Sequence, residues 1–249
     1  MSALLELRSE LKSKANSRKA KILKGFFKTG KGEYGEGDVF LGITVPQSRK
    51  LAIKFRHLSF SEIAQLLKSP VHEERLISLL ILVHNFNVGD ERNKKRIYEF
   101  YLKNTKHVNN WDLVDLSADK IVGGFLYNSL GSTRSLNDSS EPSGNTILDK
   151  LVKSNNLWKR RIAMISTFYF IKNNKFDETL KIAEILLSDK HDLIHKAVGW
   201  MLREVGKRNL KAEMKFLDKH YKKMPRTMLR YAIERFPEKL RRNYLEGVI

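Results

Sequence analysis

The sequence predicts an all-α protein built from stacked helix pairs, and three observations carry that prediction. Apolar residues return every three or four positions from Leu4 to the end, whereas strict alternation is scarce. Helix start signals recur along the chain. Five similar segments also recur, anchored at Arg75, Val114, Arg161, Lys196 and Arg230 and separated by 39, 47, 35 and 34 residues. Helix pairs at such a period mark HEAT-like solenoids, in which each pair buries its apolar face on its neighbours. A non-repetitive helical bundle is the alternative, and it too is all-α.

Taken in order, Met1 to Arg8 lacks the apolar region of a signal peptide. No later run approaches the roughly 20 apolar residues that span a bilayer. Lys28 to Asp38 holds four glycines and two lysines. Four glycines can wrap backbone N–H groups round a phosphate, but there is no GxxxxGK[ST] pattern and no preceding strand. Residues 29–38 are therefore expected to form a loop, either at the edge of a nucleic-acid cleft or as a simple connector. Pro46, Pro225 and Pro237 sit where a first helical turn opens. Ser59-Phe60-Ser61-Glu62 has capping-box spacing ahead of Ile63, Leu66 and Leu67. Asn155-Asn156 and Asn173-Asn174 read as corners where helices stop. Residues 131–145, polar and without helical period, account for the one long spacing. They read as a mobile loop inside a single domain spanning 1–249, not as a domain boundary.

Charge narrows the partners. Lys and Arg number 47 against 28 Asp and Glu, a formal net charge of +19. Such an excess points to a polyanion: nucleic acid or, less specifically, an anionic membrane or ribosomal RNA. An apolar fraction of 41%, with 13 Phe, 8 Tyr and 3 Trp, is enough for a sizeable core, which excludes a disordered basic tail. The absence of cysteine removes disulfides, thiolate metal sites and Cys nucleophiles, and fits a reducing, cytoplasmic setting. There is no HExxH zinc spacing and no GxSxG elbow, so no metal or cofactor is expected. An enzyme here would work with carboxylate, arginine and tryptophan.

Trp200 stands out among these. Between Ile194 and Lys207, the residues Ile194, Ala197, Val198, Met201, Leu202 and Val205 fall within a sector of roughly 140° at about 100° per residue. Lys196, Trp200, Arg203 and Lys207 lie on the opposite side. An aromatic ring framed by cations suits a polyanion that carries flat rings; packing beneath a neighbouring helix is the alternative. Trp111 and Asp115 are four apart and share a helix face. A ring beside a carboxylate suits chemistry in which positive charge builds on a substrate. Equally, Trp111 could fill core while Asp115 is a solvated or capping acid. Arg161 lies on the apolar stripe of its helix, where it must snorkel or reach an anion. That anion could be an acid of a neighbouring repeat or an external phosphate. Lys159 and Arg160 extend the basic surface beside it.

Four segments, in order and at compatible distances, resemble the AlkD-type DNA alkylation-repair glycosylases across roughly Leu4 to Phe236. They are Phe40-Leu41-Gly42-Ile43-Thr44-Val45-Pro46, Asn110-Trp111-Asp112-Leu113-Val114-Asp115, Asn156 to Ala163, and Lys196 to Glu204. The resemblance implies a C-shaped HEAT-like superhelix with a basic concave face that binds duplex DNA. It implies base-excision repair by hydrolysis of the N-glycosidic bond of cationic alkylpurines such as 7-methylguanine and 3-methyladenine, without flipping the base. It implies that Trp111, Trp200 and Asp115 surround the damaged nucleotide and that Arg161 contacts a phosphate. Lys159, Arg160, Lys196, Arg203 and Lys207 would hold the DNA backbone. Thr44 stands where some members present a longer polar side chain to DNA. No cofactor and no partner other than DNA is implied, and a monomer suffices. A non-catalytic DNA- or RNA-binding solenoid for damaged or branched structures, and a protein-binding HEAT scaffold, remain the alternatives.

Overall fold

The computed structural model describes residues 2–133 and 147–249 of the 249-residue chain. Its described residues form an all-α helical-repeat fold. The only β pairing among them is a single parallel bridge between Val39 and Val71. The chain divides into two units, Met1–Ser117 and Ala118–Ile249.

The first unit holds α1 (Ala3–Ser13), α2 (Ser17–Phe26), α3 (Val45–Lys54), α4 (Phe60–Leu67), α5 (His72–Val88), α6 (Glu91–Lys103) and α7, which starts at Trp111 and ends at Ala118. Helix α5 is its centre, with α3 and α4 packed along it. Leu76, Ile77, Leu79, Ile81 and Leu82 are almost wholly buried, and a helix apolar round most of its surface belongs inside a core. The first turn of α5 is polar yet equally buried, comprising His72, Glu73, Glu74 and Arg75. Buried polar groups need partners, and each of these has them. Glu74 pairs with Arg8 at 3.1 Å. Glu73 accepts the backbone N–H groups of Leu41, Gly42 and Ile43 at 3.0, 2.8 and 3.2 Å. Gly42 is obligatory in that turn: its φ is +82°, and a Cβ would collide with the Asn16 carbonyl.

The second unit begins with a π-helical turn, Asp119–Gly123, followed by α8 (Gly124–Thr133), α9 (Ile147–Val152), α10 (Leu157–Lys172), α11 (Asp177–Ile185), α12 (Asp192–Gly206), α13 (Leu210–His220), α14 (Arg226–Ala232) and α15 (Glu238–Glu246). Here α10 packs on α12, and α12 on α14. The repeat anchors Arg161, Lys196 and Arg230 lie on these three helices, and Arg75 and Val114 lie on α5 and α7. The five anchors thus fall on five different helices. All six apolar residues expected on the inner face of α12 have 0% exposure. Gly199 makes the close approach of α12 to α14 possible, because a Cβ there would strike the Met228 carbonyl.

The local signals are mostly as expected. Ser59 and Glu62 form the capping box, with the Ser59 N–H donating to the Glu62 carboxylate at 2.9 Å. Pro225 and Pro237 immediately precede α14 and α15, and Pro46 is the second residue of α3. Asn173 closes α10. Asn155-Asn156 differs: Asn156 opens α10, accepting the Trp158 and Lys159 N–H groups at 2.9 and 3.1 Å. A carboxamide serves either end: its N–H donates to the last carbonyls, as Asn173 does to Tyr169 at 2.8 Å, and its oxygen accepts the free donors that start a helix. Gly131 to Thr133 continue α8. The rest of the polar insertion, 134–145, lies outside the described residues.

Candidate functional site

Trp111 opens α7 and is half-buried, as is Asp115 one turn later. The Trp111 ring lies face to face with Phe27 at 5.1 Å and 13°, and Phe26 meets it edge-on at 5.7 Å and 76°. Phe27 in turn stacks on Phe40 at 5.0 Å, and Phe40 on His72 at 4.6 Å. The column of rings ends on a buried ionic network. His72 Nε2 lies 2.8 Å from Asp112 and Nδ1 lies 3.2 Å from Asp38. Arg75 Nη2 donates to Asp38 at 2.6 Å, and the Asn110 carboxamide donates to Asp38 at 3.2 Å. Asn110 also accepts the Trp111 backbone N–H at 2.8 Å.

Burial opposes charge on His72, but the hydrogen bonds to Asp112 and Asp38 outweigh it and lift its pKa to about 9. Burial likewise opposes ionisation of Asp38, and His72 and Arg75 reverse that, holding its carboxyl below the usual carboxylate range. The position and angle of Trp111 are thus fixed from two sides, by stacked rings and by a charged, hydrogen-bonded support.

In the second unit, Trp200 is half-buried, its ring 5.8 Å from that of Phe168. Arg161 is only 4% exposed, and its Nη1 donates to the Leu193 carbonyl at the start of α12. Four of the expected DNA-binding cations are paired with acids. Arg160 meets Asp189 at 2.6 Å, Lys196 meets Asp192 at 2.9 Å, Lys207 meets Glu204 at 2.5 Å, and Arg203 meets Glu234. Lys159 is half-buried and makes no ion pair among the described residues. Thr44 caps α3, its hydroxyl donating to Gln47 at 2.8 Å.

Thr44 also lines a cavity of about 190 Å³ within the first unit, walled largely by Ile22, Leu23, Phe27, Phe40 and Leu76. Two carboxylates reach its wall, and both are engaged: Glu73 on backbone N–H groups, and Asp112 on His72 and on the Leu113 N–H. Sequence reasoning missed Asp38, His72, Arg75 and the three phenylalanines. Asp38, Phe40, Arg75, Asn110 and Asp112 lay in segments or at positions singled out for other reasons, but nothing local joined them, because the network links residues more than 30 positions apart.

The model of DNA alkylation repair enzymes matches residues 7–236. A solved structure described as a predicted DNA alkylation repair enzyme from Enterococcus faecalis is similar at a TM-score of 0.66 and 16% identity, over 90% of this chain and 97% of that one. AlkD2 from Streptococcus mutans is similar at a TM-score of 0.52 and 18% identity, over 89% and 98%. At these identities the two structures speak for the fold. No curated protein matches. No helix among the described residues is long and apolar enough to cross a membrane. With the family model matched along nearly its whole length, the chain belongs to the DNA alkylation repair enzymes, and its role is in the repair of alkylated DNA.

Proposed function

We propose that the protein is a DNA glycosylase that hydrolyses the N-glycosidic bond of cationic alkylpurines in duplex DNA, leaving the base unflipped. The observation that carries this reading is the Trp111–Asp115 pair: a half-exposed indole, rigidly backed, one helical turn from a half-exposed carboxylate. A purine already positively charged needs no general acid. As the C1′–N bond breaks, the bonding electrons leave with the base, which becomes neutral, and positive charge passes to the sugar. The π face of Trp111 and the Asp115 carboxylate stabilise that charge. Asp115 also orients the water whose oxygen bonds to C1′ and whose proton is then released. The resemblance gives Trp200 a like part. The cavity beside Phe27 and Phe40 offers a cationic base no free carboxylate, which favours excision without insertion into it.

Incubation with duplex DNA containing 7-methylguanine should release free base, and Asp115→Asn should slow release roughly 100-fold, the scale of one lost electrostatic group, with little change in DNA affinity. Release no faster than spontaneous depurination would leave a non-catalytic DNA-binding protein.

A further inference from the structure

The cavity of the first unit changes character from floor to mouth. Phe27, Phe40, Ile43 and Leu76 close its floor, all of them buried. Lys19, Ile22 and Val45 are exposed and stand at its mouth. Four titratable side chains reach the lining, and three are bonded within the fold. Glu73 accepts backbone N–H groups, and His72 and Asp112 hold each other at 2.8 Å. Lys19 is the fourth, and it forms no ion pair among the described residues. Phe27 links this cavity to the site, because it lines the one and stacks on Trp111 at 5.1 Å.

We propose that the cavity is a binding site for a small one-ring aromatic carboxylate, its ring on the apolar floor and its carboxylate on Lys19. Size sets the ring count. An apolar cavity of about 150 Å³ holds benzene, so the roughly 190 Å³ here takes one ring with a short acidic arm. The Phe27 and Phe40 rings, stacked at 5.0 Å, give the floor an aromatic wall, and aromatic rings gain more from one another than from area alone. Charge sets the arm. The acids on the wall are already engaged, so a ligand's charge belongs at the mouth, where Lys19 requires it to be negative. A cationic alkylpurine has the opposite sign and is not the occupant. The inference holds whether or not the protein excises bases.

The test is isothermal titration of the full chain with phenylacetate, which should give saturable one-to-one heat with a Kd on the order of 1 mM or tighter. Phenylacetamide, its neutral counterpart, should bind roughly 5-fold more weakly, the scale of one exposed ion pair. Lys19→Ala should remove that difference. Ile22→Trp should abolish binding by plugging the mouth, and Val45→Trp does the same from another exposed position of the rim. Circular dichroism checks that each variant folds. Because Phe27 backs Trp111, phenylacetate should also shift tryptophan emission in wild type, and the shift should vanish in Trp111→Phe while the heat remains. Absence of saturable heat overturns the proposal, as does equal affinity for phenylacetamide or for hexanoate, an aliphatic acid of similar size. Binding that both rim variants leave intact, or an emission shift that persists in Trp111→Phe, places the ligand elsewhere and overturns it too.

Discussion

Replacing His72 by glutamine removes a buried positive charge while keeping a side chain able to hydrogen-bond. In the folded protein the imidazole titrates at about 9, against an ordinary value of 6.5. A raised pKa means that folding binds the proton more tightly. The resulting stability is fully present below about pH 6.5 and is lost as the pH climbs through 9. A gap of about 2.5 units, at about 1.36 kcal/mol each, is on the order of 3 kcal/mol. For a chain of this size, each kcal/mol moves Tm by roughly 2–4 °C. Thermal unfolding of wild type and His72→Gln, followed by tryptophan fluorescence from pH 6 to 9.5, should therefore show two curves roughly 6–12 °C apart at pH 6 that converge by pH 9.5. If the separation stayed constant across that range, His72 would not be held as a cation between Asp38 and Asp112, and the account of the support under Trp111 would fail with it.

Two further outcomes follow from buried groups. Glu213 is 2% exposed, and burial, only partly countered by Arg203, raises its pKa to about 8. The stability it contributes is complete below about pH 4.5 and drains away as the pH rises toward 8. Glu213→Gln should accordingly be more stable than wild type at pH 7, by on the order of 3 kcal/mol, and no more stable at pH 4, as read by urea denaturation. Phe27→Ala should cost about 3–5 kcal/mol for the cavity it leaves and should red-shift Trp111 emission, because one face of that indole would lose its backing; an unshifted spectrum would show that the ring is held otherwise.

Local chemistry made the helices legible. The six apolar residues on one side of α12 and the Ser59–Glu62 box need only the sequence within one or two turns. Asn155-Asn156 misled because an asparagine marks a helix end without saying which one. At the site, the half-burial of Trp111, Asp115 and Trp200 can be read against their spacing, but the fate of the cations could not all be foreseen. Asp192 and Glu204 stand four and three residues from Lys196 and Lys207, so those two pairs were visible in the sequence. Asp189 and Glu234 reach Arg160 and Arg203 from 29 and 31 residues away, and only folding brings them near. The acid-free stretch from Leu11 to Gly32 was plain in the sequence and went unread, since a charge run is ordinarily a solvated face.

That contrast alters how a net charge of +19 should be understood. A lysine already resting on a carboxylate must surrender that contact, or share it, before it serves a phosphate, and its counterion has in effect been displaced by folding. An exposed lysine with no acid beside it still holds mobile counterions and releases them on contact with DNA. The paired cations of α10 and α12 and the exposed, unpaired ones of α2 therefore differ in what they can offer an anion, although every cation counts equally in the sum. Arg161 carries the same logic further: buried to 4% and donating to the Leu193 carbonyl, it joins α10 to the first turn of α12. Its loss should register first in the packing of those helices, with any effect on DNA following from the displacement of Trp200.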